Sequence, residues 1–276
     1  MPKLKHTFKT DILFKMLFTK NQHLLKNLVS QLLKLPVDSI SQFEVKDPEI
    51  TPDFIGNKYC RLDILMTVDK QQVNLEIQVE NRGDYPDRVL YYWAKLHSGA
   101  LQTGEEYAEL PRTIIISIIN FTLFDDCTEF HSEFQMLEVT RKTFLSDKQV
   151  LHFFELPKLP KEIDKDDLLQ IWLALFKADT EEELKMIDEL GVNEINEIVT
   201  AYHKLSESPE FRELERVREK ARNDEASALG HARRCGEAIG EKRGEKRASA
   251  KWKKVVADKD AEIDNLQKQL AELTKH

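Results

Sequence analysis

Cysteine is scarce in this chain of 276 residues, which contains three: Cys60, Cys127 and Cys235. Their positions show neither the spacing of metal ligands nor the spacing of a disulfide framework. A zinc site and a disulfide-stabilised secreted domain are therefore not expected. We expect free thiols in a reducing compartment.

Long apolar runs are also missing. No stretch approaches the length of about 20 apolar residues that a helix needs to cross a bilayer. The first ten residues are basic, but the segment that follows is amphipathic and is interrupted by Lys15 and Lys20, which does not fit a signal peptide. These absences predict a soluble cytoplasmic protein with no membrane-bound part.

An overall excess of positive charge is lacking as well. The net charge of −8 argues against a nucleic-acid ligand, but the charge is unevenly distributed. Residues 212–254 carry 14 Lys and Arg against 8 Asp and Glu, a net charge of +6. Residues 255–276 carry 3 against 5, a net charge of −2, which leaves residues 1–211 at −12. Because an acidic site accepts phosphate once it holds a cation, this distribution does not exclude a nuclease. It does predict weak non-specific DNA binding by the acidic part alone.

Alternating apolar and polar residues are the main positive signal. They fill residues 60–68, stop at a polar turn over residues 69–72, and resume in residues 73–79. This period of two is typical of half-buried strands, and two such runs joined by a short polar loop predict a β-hairpin. If the apolar residues of both strands share one face, Asp63, Glu76 and Gln78 share the other.

Neighbouring strands lie about 5 Å apart, so the carboxylates of Asp63 and Glu76 would both reach one divalent cation. Polar residues on the outer face of an antiparallel strand are also ordinary. The alternation alone therefore leaves two interpretations open, a metal site and a solvated sheet face.

The chain after the hairpin contains further regular elements. Residues 87–102 predict a helix on which Arg88 and Tyr92, four positions apart, share one face. Residues 113–119 (TIIISII) predict a central strand buried on both sides. Residues 134–139 and 149–156 predict two more strands, and from residue 164 the pattern is helical.

The order of these elements resembles the PD-(D/E)XK nuclease core, and more narrowly the PD-(D/E)XK nuclease family transposases, also called recombination-promoting nucleases. The resemblance covers at least the first 160 residues and implies an α/β, restriction-endonuclease-like fold with a mixed central sheet flanked by helices. The motifs that carry it are residues 10–15 (TDILFK), 62–64 (LDI), 76–78 (EIQ), 88–92 (RVLYY) and 152–158 (HFFELPK).

The resemblance implies that Asp63 and Glu76 ligate Mg²⁺ or Mn²⁺, helped by the backbone carbonyl of Ile77. Gln78 stands where the commonest motif of the superfamily has lysine, and it resembles a variant found in this family. An amide carries no charge and cannot act as a base near neutral pH. Activation of the water would then fall to the metal, with Gln78 orienting the nucleophile.

The resemblance also implies roles for three residues on helices. Asp11 corresponds to an acid that many of these nucleases carry on the helix before the hairpin, although it equally suits the first turn of a helix capped by Thr10. Arg88 and Tyr92 would contact the metal site or the DNA backbone. The alternative is that Arg88 pairs with a local acid and that Tyr92 is half-buried.

Two functions follow from the resemblance. The first is a metal-dependent DNA endonuclease that acts in recombination or in DNA exchange related to mobile elements. The second is a DNA-binding or assembly protein that keeps the nuclease fold, cleaves weakly or not at all, and oligomerises through its C-terminal helix.

The C-terminal part divides into three predicted segments: a helical subdomain packed on the core over residues 161–208, a charged helix and basic glycine-spaced linker over 209–254, and a short coiled coil over 255–276. The glycine-spaced stretch is compatible with either a frayed helix or a flexible linker. We expect a homo-oligomer, because apolar residues occupy heptad positions a and d, with Lys259 at one d position. These apolar residues are Val256, Ile263, Leu266, Leu270 and Leu273.

Overall fold

The computed structural model describes residues 3–46, 49–50, 60–61, 63–81, 83–101 and 104–273. The chain divides into two compact units, Met1–Glu213 and Leu214–His276. Among the residues described, no helix has both the length and the apolar character needed to cross a membrane.

The first unit combines helices and strands, and the last helix of the chain continues into the second unit. The helices are α1 (Asp11–Lys20), α2 (Gln22–Leu32), α3 (Tyr85–Ser98), α4 (Leu168–Lys177), α5 (Glu181–Asp188), α6 (Asn193–Ser206) and α7 (Pro209–Leu273). The strands are β1 (Phe43–Lys46), β2 (Glu49–Ile50), β3 (Cys60–Arg61), β4 (Ile64–Val68), β5 (Gln71–Gln78), β6 (Thr113–Ile119), β7 (His131–Gln135) and β8 (Gln149–Glu155).

Six strands form a mixed sheet in the order β1-β4-β5-β6-β8-β7, while β2 and β3 pair separately. Strands β5, β6 and β8 run parallel, and the other neighbours in the sheet are antiparallel. Helix α3 connects β5 to β6, as a parallel pair requires a long crossover. This architecture confirms the predicted α/β restriction-endonuclease-like fold with a mixed sheet flanked by helices.

The predicted β-hairpin is present as β4 and β5, in which Ile64 pairs with Leu75. Its turn is shorter than predicted, because pairing already begins at Gln71. Asp69 adopts a left-handed backbone conformation with φ of 43°, which a short polar residue tolerates. Its carboxylate accepts the backbone N–H of Ser41 and Gln42, at 2.9 Å each. Leu62, which was assigned to the first strand, lies outside the described residues.

The expectation that these strands are half-buried is wrong, because helices cover both sides of the sheet. Val73, Leu75 and Ile77 face a first core shared with α1, α2, α4 and α6. The opposite face, where Asn74 and Glu76 lie buried, is covered by α3. Alternation cannot reveal this arrangement, since the polar residues of the hairpin look solvent-exposed unless the covering helix is known. Between α3 and this opposite face of the sheet lies a second core, which consists of Leu65, Tyr85, Val89, Leu96, Ile115, Ile119, Leu151 and Phe153.

Two element boundaries differ from the predictions. Helix α3 begins at Tyr85, since Pro86 fits the first turn of a helix instead of preceding it, and it ends at Ser98. The edge strand β7 covers His131–Gln135, earlier in the chain than the predicted residues 134–139. The central strand β6, buried at every position, and strand β8 are confirmed.

The second unit is helical. Helix α7 runs for 65 residues and passes through Gly236, Gly240 and Gly244 without interruption, so the glycine-spaced stretch is helix and not a flexible linker. The apolar side chains near its end, whose role in oligomerisation was predicted, are exposed in this single chain. They include Val256, Ile263, Leu266 and Leu270.

The burial of strand β5 generates a stability prediction. Leu75 is fully buried in the first core, so Leu75→Asp places an unpaired charge there and should lower the free energy of unfolding by roughly 4 kcal/mol or more. The same substitution at Leu90 of α3, which is 46% exposed, should change it by about 0.5 kcal/mol or less. Urea denaturation followed by circular dichroism measures both, and equal midpoints would show that the strand faces are assigned wrongly.

Candidate active site

The candidate residues meet at one end of the sheet, where β4 begins and β5 ends. Asp63 immediately precedes β4, and Glu76, Ile77 and Gln78 are the last residues of β5. Helix α1 approaches this end with Lys15. Helix α3 begins close by, so its first turns border the same site.

Backbone hydrogen bonds fix the two carboxylates relative to each other. The N–H of Ile77 donates to Asp63 Oδ2 at 2.9 Å, and the N–H of Asp63 donates to Glu76 Oε1 at 3.2 Å. Asn74 Nδ2 donates to the same Glu76 oxygen at 2.8 Å. Asp63 and Glu76 are therefore close together in the structure, as predicted. Backbone N–H groups hold both side chains, and neither lies on an open, solvated face of the sheet.

The positive charge of Lys15 compensates this pair of carboxylates only in part. Burial, with a smaller contribution from the charge of Asp63, raises the pKa of Glu76 to about 8. Burial also raises the pKa of Asp63. The nearby positive charge of Lys15 lowers that pKa but does not cancel the effect of burial. A bound cation would favour the ionised form of both groups, so this arrangement suits a cation better than it suits two isolated acids.

Lys15 was not among the residues predicted from the sequence. Its ammonium lies 3.1 Å from Asp63 Oδ1 and 3.2 Å from Asp11 Oδ1, so the structure links Asp11 to the site through Lys15. The available signal was the spacing, because Asp11 and Lys15 are four residues apart on one helix and therefore share a face.

Gln78 and Arg88 contact each other directly. Arg88 Nη2 donates to Gln78 Oε1 at 2.7 Å, and Gln78 Nε2 donates to the carbonyl of Glu80 at 2.9 Å. The Arg88 guanidinium also lies 4.9 Å from the ring centre of Tyr85, a cation–π distance. Arg88 is thus placed beside the end of β5 through Gln78. Tyr92 is half-buried and packs against the second core.

Tyr85 is a further residue of the site that the sequence did not single out, because Gly83–Pro86 has the composition of a loop. Its side chain is buried beneath the end of β5. Burial, followed by the negative charge of Glu76, raises the pKa of Tyr85 above its ordinary value, so its hydroxyl stays protonated. A neutral hydroxyl near Ser117 adds a polar group to the buried side of Glu76.

The residues present fit a hard divalent cation. Asp63 and Glu76 supply carboxylate oxygens, and the Ile77 carbonyl lies on the same edge of β5 as its N–H, which faces Asp63. Within the described parts of the chain, no group of three or more His, Cys, Asp or Glu residues is arranged to hold a metal. Mg²⁺ suits such a sparse set, because it keeps several waters and is usually bound through one or two carboxylates plus substrate phosphate.

Comparison with known proteins places the chain in a family. No curated protein and no solved structure matches the chain significantly. The sequence model of the PD-(D/E)XK nuclease family transposases matches residues 8–232, which include the whole candidate site and extend beyond the first 160 residues that carry the motifs. The chain therefore belongs to the PD-(D/E)XK nuclease family transposases.

Proposed function

We propose that this chain is a divalent-metal-dependent DNA endonuclease that hydrolyses phosphodiester bonds during recombination or DNA exchange related to mobile elements. Family membership supports a nuclease fold and a role related to transposition or recombination. The observation that carries the proposal is the pairing of Asp63 with Glu76, each held by a backbone N–H at the adjoining ends of β4 and β5.

The proposed metal is Mg²⁺ or Mn²⁺, held by Asp63, Glu76 and the Ile77 carbonyl. Such an ion polarises the phosphate and lowers the pKa of a bound water. Gln78 would orient the attacking water, since it ends β5 two positions after Glu76, on the same face of the strand. Arg88, anchored on Gln78, would contact a phosphate of the DNA backbone, as guanidinium groups do through paired N–H donors.

A second function is a nuclease-fold protein that binds DNA or assembles on it with little cleavage. The observation in its favour is that both ends of the Gln78 amide are already engaged, by Arg88 and by the Glu80 carbonyl. A water-orienting role would require one of these bonds to exchange for a water. Cleavage assays distinguish the two functions directly.

Helix α7 supports proposals for the partners. The basic residues of 212–254 would supply phosphate contacts that the acidic first unit lacks, giving salt-dependent binding to DNA. The exposed apolar residues near the end of α7 would pair with those of a second copy as a short coiled coil. Two linked copies would bind DNA more tightly than one.

The metal site predicts which carboxylates cleavage requires. Asp63→Asn and Glu76→Gln should each reduce plasmid nicking in Mg²⁺ or Mn²⁺ by about 100-fold or more, because the metal contributes several kcal/mol to transition-state stabilisation. EDTA should abolish nicking by the wild type. These near-isosteric changes are preferable to alanine, since both side chains accept backbone hydrogen bonds.

Glu44→Gln is the matched control, because Glu44 is an exposed carboxylate of β1 in the same sheet. It should nick plasmid at the wild-type rate. If Asp63→Asn and Glu76→Gln also do so with metal supplied, the proposed active site is wrong.

The proposed role of Gln78 predicts how two substitutions at position 78 rank in cleavage activity. Gln78→Lys restores the commoner motif of the superfamily and should keep activity within about tenfold of the wild type, while Gln78→Ala should lose roughly 100-fold, since no side chain then orients the water. Single-turnover cleavage with saturating Mg²⁺ measures both. An active alanine variant beside an inactive lysine variant would remove Gln78 from the site.

The apolar residues of α7 predict the oligomeric state. Leu266→Asp puts a charge in the proposed helix–helix contact and should convert the oligomer to a monomer in sedimentation equilibrium. Ile239→Asp, an exposed apolar position of the same helix outside heptad positions a and d, should leave the mass unchanged. A monomeric wild type, or an unchanged mass for Leu266→Asp, would contradict the coiled coil.

A further inference from the structure

Lys15 of helix α1 occupies an unusual position for a lysine. Its side chain is only 20% exposed, and its ammonium lies between the carboxylates of Asp11 and Asp63. Its charge also reaches Glu76, whose pKa it lowers. A cation that acts on all three acids belongs to the site and not to the protein surface.

We infer that Lys15 supplies the positively charged hydrogen-bond donor that β5 lacks at position 78. This inference rests on the proposed nuclease function and adds a catalytic residue to it. The lysine of the commoner motif would extend from β5, whereas here the ammonium extends from α1 and contacts Asp63.

The donor count supports this role. An ammonium has three N–H donors, and two carboxylate oxygens, Asp11 Oδ1 and Asp63 Oδ1, lie within ion-pair distance of the Lys15 ammonium. Among the described residues, no further contact of Lys15 takes the third, so it is available to a water or a phosphate oxygen. Gln78 offers no such charge, and its carbonyl accepts from Arg88.

Asp11 becomes a positioning residue under this inference. It lies one turn before Lys15 on the same helix, and the ion pair between them limits the ammonium to the side of α1 that faces Asp63. This assignment gives Asp11 a role at the site, because Asp11 pairs with Lys15 and Lys15 in turn pairs with Asp63.

The chemical step is a hydrolysis without redox change. The oxygen of one water bonds to phosphorus, one ester P–O bond breaks, and one proton of the water ends on the departing alkoxide. Negative charge accumulates on the non-bridging phosphate oxygens and on the attacking oxygen during this exchange. The fixed charge of Lys15 would stabilise that developing charge through its third N–H.

Single-turnover cleavage of plasmid by full-length variants tests the inference. Lys15→Met keeps the length of the side chain and removes its charge, so cleavage should slow by roughly 100-fold. Lys20→Met is the matched control, because Lys20 lies on the same helix in an exposed ion pair with Glu210, and it should cleave at the wild-type rate. Lys15→Met at the rate of Lys20→Met overturns the inference.

Rescue of cleavage by a second substitution provides a readout that a structural role of Lys15 would not produce. If positions 15 and 78 supply the same charge, the double variant with Lys15→Met and Gln78→Lys should cleave at least tenfold faster than Lys15→Met alone. A double variant no faster than Lys15→Met overturns the equivalence of the two positions. Should Lys15→Met not fold, Asp11→Asn decides, since it keeps the charge but frees the ammonium and should slow cleavage about tenfold.

Measuring metal affinity distinguishes a role of Lys15 in the chemical step from a role in binding the metal. Isothermal titration with Mn²⁺ alone should show that Lys15→Met binds at least as tightly as the wild type, because a positive charge beside Asp63 has been removed. A tenfold weaker affinity would mean that Lys15 builds the metal site, and the inference would be wrong. A wild type that cuts no DNA with any metal refutes the proposed function and this inference together, whereas equal cleavage by wild type and Lys15→Met refutes the inference alone.

Discussion

Two carboxylates at the end of a covered sheet, Glu76 buried and Asp63 partly buried, are the constraint on which this structure depends. Asp63 and Glu76 are kept together by backbone N–H groups, yet a buried carboxylate remains costly unless a positive charge compensates it. The raised pKa of Glu76 reflects that cost. Lys15 offsets part of it, and a divalent cation at the proposed site would offset more.

Helix α3 creates this situation by covering the polar face of the hairpin. Its apolar residues complete the second core, and its first turn places Tyr85 under the end of β5. Its next turn brings Arg88 to Gln78, which fixes the glutamine in one orientation. The same helix therefore excludes water from one side of the site and supplies a positive charge at its rim.

The two units differ in net charge, because residues 1–211 are acidic and residues 212–254 are basic. The first unit holds the acidic candidate site with Lys15 beside it, a charge distribution that would suit metal-dependent chemistry but would attract DNA poorly. The excess of positive over negative charge lies in residues 212–254 of α7, where most of the described side chains are exposed. A metal-dependent nuclease site and a DNA-attracting surface have opposite charge requirements, and under the proposed function their separation along the chain would satisfy both.

The sequence by itself determined the hairpin, the buried strand β6 and the closeness of Asp63 to Glu76 that follows from the hairpin. These features depend on local periodicity and on neighbours close in the chain. Only the tertiary structure decided that the polar face is covered, that Tyr85 and Pro86 begin a helix, and that Lys15 contacts Asp63 across 48 positions. Such contacts join residues distant in sequence, and side-chain periodicity carries no information about which helix packs against which face.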